Sequence, residues 1–173
     1  MELTKLFDVQ AGLKKHIGYK GKDKFSKMML AMLVEFMECA NDWRGFKYWS
    51  ENPKPKKTLL EEYVDGLHFV LETGLDMLEN GDIRILPKYA AAYQSSYEKG
   101  DKQIIRQYKQ LTHTALYIDR EAEVGANHLD AEYGELIGQY LYLGSLLGFT
   151  EEQIEQAYME KNKVNHQRQE NGY

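Results

Sequence analysis

Apolar residues recur at steps of three and four along most of this chain, and no stretch of useful length alternates apolar with polar residues as a strand would. Only three prolines occur among the 173 residues, of which 43% are hydrophobic. The pattern predicts an all-α helical bundle that forms one domain over residues 1–173, with a variable insert at about 82–100. About six helices are expected: Leu3 to Ile17, about Asp23 to Trp43, about Thr58 to Glu79, Asp101 to about Asn127, Asp130 to Leu147, and Thr150 to about Gln169.

Local sequence patterns mark two helix starts and one helix interior. Thr58 with Glu61, and Thr150 with Gln153, each have the spacing of a capping box at the start of a helix. The middle of the second helix, Met28 to Leu33, is apolar on every side. We therefore expect that helix to be buried rather than to lie at the surface.

Charge and cysteine content exclude several classes of protein. The formal net charge is −5, so the chain as a whole does not resemble a nucleic-acid binder. A single cysteine, Cys39, excludes an internal disulfide framework and fits a reducing compartment. The longest apolar-rich stretch contains Glu35 and Glu38 and does not suit a membrane span, and no cleavable leader is visible. We expect a cytoplasmic protein that binds neither nucleic acid nor membrane.

Two pairs of acidic residues stand inside the most apolar helical segments. Glu35 and Glu38 are three residues apart in the second helix, so they share one helix face. Glu62 and Asp65 repeat this arrangement in the third helix. If the two helices pack antiparallel, four carboxylates can meet, and they would repel strongly unless a cation lay between them. Carboxylate ligands favour hard ions, and Mg²⁺ also binds substrate phosphates, so the pattern predicts a magnesium site.

Two alternatives remain open for these acidic residues. Acidic pairs at this spacing are common on solvated helix faces, so both pairs could simply face water. In addition, Glu61 and Asp65 are four residues apart. Spacing alone therefore does not choose between Glu61 and Glu62 as a ligand.

A polar stripe, whose members recur at helical steps, marks the end of the last helix. It carries donors suited to phosphate and amide groups: Tyr158, Lys161, Asn162, Asn165, Arg168 and Gln169. A solvated or frayed C-terminus is the alternative interpretation. Upstream, Trp49 lies in an aromatic loop that either packs on the core or stacks on a ligand base. His68 shares a face with the second acidic pair, where a core histidine is the alternative to a functional one.

Together these residues resemble the dimeric dUTPase family, the all-α type within the wider MazG-like group of nucleoside triphosphate pyrophosphohydrolases. The similar features are the two acidic motifs, the histidine that follows them, and a C-terminal motif. That motif comprises Lys161, Asn162, Asn165, Arg168, Gln169 and Tyr173. The loop at residues 40–50 further resembles the version found in Gram-positive bacteria and their phages.

The resemblance implies an enzyme, a dUTP diphosphatase that converts dUTP to dUMP and pyrophosphate, with dUDP as a second candidate substrate. It implies Mg²⁺ as cofactor, held by four carboxylates of which the first two are candidates for the general base: Glu35, Glu38, Glu62 and Asp65. It implies substrate contacts from seven further residues: Gln10, Trp49, His68, Lys161, Asn165, Arg168 and Tyr173. Relatives often have Asn or Asp four residues after the glutamine, where this chain has Lys14.

The family also implies a homodimer and, for phage members, a host regulatory protein as a further partner. Two other functions stay open at this point. One is a nucleotide pyrophosphohydrolase of broader specificity that uses the same machinery. The other is a non-catalytic helical binding module whose acidic pairs face solvent.

Overall fold

A computed structural model of the chain describes residues 1–90, 100–126 and 128–172. Six α-helices account for most of them: α1 (Thr4–Ile17), α2 (Lys24–Trp43), α3 (Leu59–Asn80), α4 (Asp101–Glu123), α5 (Asp130–Leu146) and α6 (Glu151–Glu170). Apart from one antiparallel bridge between Glu2 and Tyr89, these ranges contain no β-structure, so the all-α prediction is confirmed. None of the described helices combines the length and the apolar character needed to cross a bilayer. Residues 91–99, the centre of the predicted insert, lie outside the described ranges.

Helices α2 and α3 pack side by side in opposite directions, which sets the geometry of the site. At the start of α2, the Nζ atom of Lys24 lies 2.7 Å from the carboxylate of Asp76, near the end of α3. At the other end of the pair, the hydroxyl of Thr58, just before α3, donates to the carboxylate of Asp42. The antiparallel packing expected for the two acidic helices is therefore confirmed.

Tyrosines from α3 and α5 fix the position of α3 in the core. Tyr63 and Tyr140 stack with ring centroids 4.8 Å apart. Each hydroxyl donates to the backbone carbonyl of the other residue, at 3.1 and 2.6 Å. Gly66 permits this approach, since a Cβ atom there would lie 2.2 Å from the Tyr140 hydroxyl. Buried polar groups stabilise a fold most when all of them are hydrogen-bonded. This reciprocal contact therefore favours a single orientation of α3 about its own axis.

One face of α2 is exposed, so the prediction that this helix is buried rather than at the surface is wrong for that face. Leu30, Val34 and Met37 keep 64%, 45% and 48% of their surfaces exposed, whereas Met32 and Phe36 are fully buried. The described part of α2 packs chiefly against α3 and α4. The third side of the helix therefore carries apolar side chains that none of the other described helices covers.

The two predicted capping boxes have different outcomes. Thr150 accepts a hydrogen bond from the backbone N–H of Gln153 at 3.2 Å, and the Gln153 side chain accepts from the Thr150 N–H at 2.9 Å. That box is confirmed at the start of α6. Thr58 makes no such bond at the start of α3 because its hydroxyl is engaged by Asp42, which also binds Lys56. The box predicted there is wrong.

Candidate active site

Three carboxylates from α2 and α3 converge on one point and form what we call the carboxylate cluster. One oxygen of each of Glu35, Glu62 and Asp65 lies within 4.8 Å of the other two, and all three residues are half-buried. Within the described ranges, no other group of three or more His, Cys, Asp or Glu side chains is close enough to share a metal ion. Glu38 is exposed and lies outside this group, although its charge acts on Glu35 and Glu62.

The electrostatics of the carboxylate cluster favour a bound cation. Burial, followed by the negative charges of Asp65, Glu38 and Glu62, raises the pKa of Glu35 to about 7. Burial also raises the pKa of Glu62. It raises the pKa of Asp65 as well, although a hydrogen bond from Lys161 opposes it. Ionising all three carboxylates is therefore costly, and a bound divalent cation would remove that cost. Hard divalent ions prefer oxygen ligands such as these.

The contacts of Lys161 in α6 show that Glu61 and Glu62 have different surroundings, a question that their spacing in the sequence left open. Its Nζ atom lies 2.6 Å from Asp65 and 2.9 Å from Glu61, and its side chain is only 10% exposed. Burial acts to lower the pKa of Lys161, but hydrogen bonds to these two carboxylates outweigh it and raise the pKa. Glu61 is thus an exposed partner of the lysine, whereas Glu62 belongs to the carboxylate cluster.

A cavity of about 270 Å³, the small cavity, adjoins the carboxylate cluster, because Glu35 and Asp65 belong to both. Four of the residues predicted to bind substrate line it: Gln10, His68, Asn165 and Arg168. The wall is completed by Leu13, Ile17, Phe69, Glu72 and Gln169. Its mixture of apolar surface and a few polar groups is typical of a small-molecule site.

Two of the other three predicted substrate-binding residues, Trp49 and Lys161, do not line the small cavity. Lys161 meets the site through its ion pair with Asp65. Trp49 is 64% exposed and packs edge-on against Phe46 and Tyr48 in the loop after α2. Tyr173 lies outside the described residues. The roles of these residues in binding substrate stay predictions.

The polar stripe of α6 is packed against the protein rather than frayed, because α6 contacts both α1 and α3. Tyr158, Lys161 and Asn162 are buried, and Asn165 is half-buried. Only toward the end of the stripe does a side chain become exposed, at Arg168. The first residues of the stripe therefore lie in the core, and its last residues line the partly open small cavity.

His68 is a neutral imidazole held deep in the fold. Its Nδ1 atom lies 2.8 Å from Oε1 of Gln10, and its ring stacks on Tyr158 with centroids 4.1 Å apart. Burial, helped by the positive charge of Lys161, lowers its pKa to about 3. At neutral pH the ring therefore has one nitrogen that donates and one that accepts.

Glu72 is a buried polar residue of this site that the sequence did not single out. It lies one turn beyond His68 on α3, is only 8% exposed, and accepts a hydrogen bond from Nε2 of Gln10 at 2.9 Å. An acidic residue four positions after His68 in an apolar helix is the sequence pattern that could have indicated it. Its partner Gln10 is 62 residues away in the chain, so no local pattern predicts the pair.

A larger cavity, of about 640 Å³, lies between α1 and the facing ends of α2 and α3. Lys14 and Lys24 line it. The Nζ atom of Lys14 lies 2.7 Å from Asp76 and 2.6 Å from Glu79, and that of Lys24 lies 2.7 Å from Asp76, so these two lysines are paired within the protein. Because the carboxylate cluster is not part of this cavity, the small cavity is the better candidate for the active site. Lys14 lines the larger cavity instead of the small one.

A carboxylate cluster that shares residues with a largely apolar cavity between helices suits an all-α hydrolase that acts on phosphorylated small molecules with the help of a metal ion. The family model described as dUTPase matches residues 2–173, and the chain therefore belongs to the dUTPase family, of the dimeric all-α type. The resemblance proposed from the sequence is confirmed, and with it the expectation of an enzyme, a dUTP diphosphatase. No curated protein matches the chain significantly.

Proposed function

We propose that this dUTP diphosphatase holds the base of dUTP in the small cavity and the triphosphate against the carboxylate cluster, and that it needs Mg²⁺. The observation that carries this proposal is the membership of Glu35 and Asp65 in both the cluster and the cavity wall. A nucleotide with its base in the cavity would bring its phosphates to these carboxylates. Phosphates and carboxylates repel each other, so a cation is needed between them. The products would be dUMP and pyrophosphate, or dUMP and phosphate where dUDP is the substrate.

Glu35, Glu62 and Asp65 would hold the metal, and Glu38 would join them from the exposed side of α2. When bound, Mg²⁺ supplies charge that neutralises the phosphates and lowers the pKa of coordinated water. Among the groups of the chain itself, Glu35 is our candidate for the general base, because it belongs to both the carboxylate cluster and the cavity wall and would therefore lie between metal and substrate. Glu38 is the alternative base, and its exposed side chain lies one turn farther along the same helix.

Two cationic side chains of α6 would meet the phosphates. Arg168 lines the small cavity, and Lys161 lies on the Asp65 carboxylate at 2.6 Å. Such groups stabilise the charge that develops on the transferring phosphoryl group and on the leaving pyrophosphate. Tyr173 is a further candidate for a phosphate contact, supported by the family resemblance.

Selection of the base and sugar would rest on the polar and apolar parts of the cavity wall. Gln10, His68 and Asn165 offer hydrogen-bonding groups there. Cytosine reverses donor and acceptor at two positions of its edge, so a wall that suits uracil leaves polar groups unpaired against cytosine. A close wall would also exclude the methyl group of thymine. Phe69, which lines the cavity, would pack under the deoxyribose and disfavour a 2′-hydroxyl.

We also propose that two copies of the chain form a homodimer through the exposed face of α2. Leu30, Val34 and Met37 are all exposed on that face. It continues into an apolar cavity of about 470 Å³ between α2 and α4, which Met37 and Phe46 line. Contiguous exposed apolar surface of this kind marks protein contacts. A host regulatory protein is the other partner that the resemblance suggests.

The activity is tested by following product release from dUTP, dUDP, dCTP, dTTP and UTP, each with Mg²⁺ and with excess EDTA. We expect rapid release of pyrophosphate from dUTP, much slower reaction of the other triphosphates, and loss of activity in EDTA. Equal rates for the triphosphates would indicate a nucleotide pyrophosphohydrolase of broader specificity. No turnover of any nucleotide, together with no saturable Mg²⁺ binding, would indicate a binding module.

A further inference from the structure

We propose that Glu72 is a positioning residue that determines which nitrogen of His68 faces the substrate as a hydrogen-bond acceptor. It would do so by fixing the side-chain amide of Gln10, which in turn fixes the tautomer of His68. This inference rests on the proposed function, because it assigns the base-selecting group of the small cavity. Neither the family match nor the sequence pattern assigns a role to Glu72.

The first step is the orientation of the Gln10 amide. Gln10 is 1% exposed, and its Nε2 atom donates to Oε2 of Glu72 at 2.9 Å. The other oxygen of Glu72 lies 2.7 Å from the ammonium of Lys24, so both oxygens of this carboxylate face hydrogen-bond donors. A carboxylate only accepts hydrogen bonds. The nitrogen of the Gln10 amide must therefore face Glu72, and its oxygen must face the other way.

The second step is the tautomer of His68. Oε1 of Gln10 lies 2.7 Å from the hydroxyl of Tyr158 and 2.8 Å from Nδ1 of His68. An amide oxygen can only accept, so Nδ1 must carry the proton. Because burial keeps the ring neutral, Nε2 has no hydrogen and presents a lone pair. This Nε2 atom is buried and has no hydrogen-bond partner among the described residues.

The consequence is a base-selective acceptor in the wall of the small cavity. Uracil carries a hydrogen on N3 and can donate it to such an acceptor. Cytosine has a bare N3, so two lone pairs would face each other without a proton between them. A site built around a buried hydrogen bond discriminates strongly against a ligand that cannot make it. Glu72 would thus favour uracil through its effect on Gln10 and His68.

A chain of ion pairs anchors Glu72 in this position. Lys24 of α2 bridges Glu72 and Asp76, with its Nζ atom 2.7 Å from each carboxylate. Lys14 of α1 binds the same Asp76 at 2.7 Å and Glu79 at 2.6 Å. The chain of charges therefore ties α1 and α2 to the face of α3 that carries Glu72. It also gives a function to Lys14, which pairs with acidic residues of α3 rather than lining the small cavity.

The test is the substitution Glu72→Gln in the full chain. The amide oxygen of the new side chain would turn to Lys24, and its NH₂ group would face Gln10. Gln10 would then rotate its own amide and present hydrogens to Tyr158 and His68. The proton of His68 would move from Nδ1 to Nε2, so the wall would donate where it had accepted.

The tautomer is measured directly by long-range ¹H–¹⁵N NMR of the histidine rings without metal or nucleotide. The chain has five histidines, and the loss of one set of signals in His68→Asn identifies the ring. We expect protonated Nδ1 in the wild type and protonated Nε2 in Glu72→Gln. The matched control is Glu79→Gln, which removes a partner of Lys14 but not the partner of Gln10, and it should keep the wild-type tautomer.

Steady-state kinetics give the second measurement. In Glu72→Gln we expect the KM for dUTP to rise about tenfold with a smaller change in kcat, and the preference for dUTP over dCTP to fall by at least about tenfold. A wild-type ring protonated at Nε2, or an unchanged tautomer in a folded Glu72→Gln, would overturn the inference. The wild-type spectrum decides the first of these even if the variant does not fold. Because the spectra need no activity, a protein that failed to hydrolyse dUTP would refute the proposed function separately.

Discussion

The ammonium of Lys161 lies 2.6 Å from the carboxylate of Asp65, and this ion pair joins α6 to the carboxylate cluster between α2 and α3. Asp65 also lines the small cavity, which Arg168 reaches from farther along α6. The pair therefore connects the acidic and the basic halves of the site. One lysine, shared with Glu61, cannot neutralise all the carboxylates of the cluster. The fold depends on Lys161 for partial compensation, and the proposed activity depends on a cation for the rest.

Replacing Lys161 with methionine should destabilise the protein most at neutral pH. The change leaves Asp65 without its buried partner beside two other carboxylates, which we expect to cost about 1–3 kcal/mol of the free energy of unfolding at pH 7.5. At pH 5 the loss should shrink, because Glu35, whose pKa is about 7, takes up a proton and so reduces the negative charge beside Asp65. Urea denaturation at the two pH values measures the difference. Lys163→Met, an exposed lysine of the same helix, is the control and should change little at either pH.

Glu35→Gln and Glu38→Gln should separate catalysis from stability. We expect both to lose turnover of dUTP by at least about a hundredfold, since both are proposed ligands and candidate bases. Only Glu35 belongs to the half-buried cluster, so Glu35→Gln should raise the melting temperature of the metal-free protein, whereas Glu38→Gln should leave it nearly unchanged. Thermal unfolding in EDTA and a coupled pyrophosphate assay measure the two effects. Full activity in either variant would remove that residue from the mechanism.

Glu35 should make the stability of the metal-free protein depend on pH. Its pKa rises from an ordinary value of 4.5 to about 7 on folding, so the folded state binds the extra proton. Its contribution to stability is therefore full below about 4.5 and is lost as pH rises toward 7. Urea titrations in EDTA should show that wild type loses stability relative to Glu35→Gln across this window. A slope of the opposite sign would contradict the assigned environment of Glu35.

The exposed face of α2 should control the oligomeric state. Val34 lies in the middle of this face and is 45% exposed, so Val34→Asp would place a charge in the proposed dimer contact. We expect wild type to be a dimer by light scattering and the variant to be a monomer with unchanged helix content by circular dichroism. Val124→Asp, at an exposed valine that follows α4 and is not part of the α2 face, serves as the control and should stay dimeric. A monomeric wild type would refute the dimer.

Much of the architecture follows from local sequence, because helix periodicity depends on residues that are close in the chain. The six helices were predicted on that basis, α2 and α3 pack antiparallel as expected, and three of the four paired carboxylates meet in the carboxylate cluster. Local pattern failed where distant partners decide. The Thr58 side chain does not cap α3 because it donates its hydrogen bond to Asp42. Glu61 and Glu62 differ in role because Lys161, 100 residues from Glu61 in the chain, pairs with Glu61.

The same limit applies to burial and to hydrogen bonding inside the site. An apolar helix such as α2 is buried only as far as its neighbours cover it, and the composition of α2 carries no information about those neighbours. The contact between Gln10 and Glu72 likewise exists only in the folded chain. The resemblance to the family placed Gln10 and His68 in one pocket, and both line the small cavity. It gave no indication of the carboxylate that orients them.

The central claim is that the carboxylate cluster binds the catalytic Mg²⁺, and isothermal titration of Mg²⁺ into three proteins tests it most directly. Glu62→Gln removes a member of the cluster, and Glu61→Gln removes its exposed neighbour. We expect the wild type to bind Mg²⁺ saturably and Glu61→Gln to bind it with a Kd within about threefold of the wild-type Kd. In Glu62→Gln the Kd should rise by at least about tenfold. If Glu62→Gln binds Mg²⁺ as tightly as the wild type, the cluster is not the metal site and the proposed mechanism is wrong.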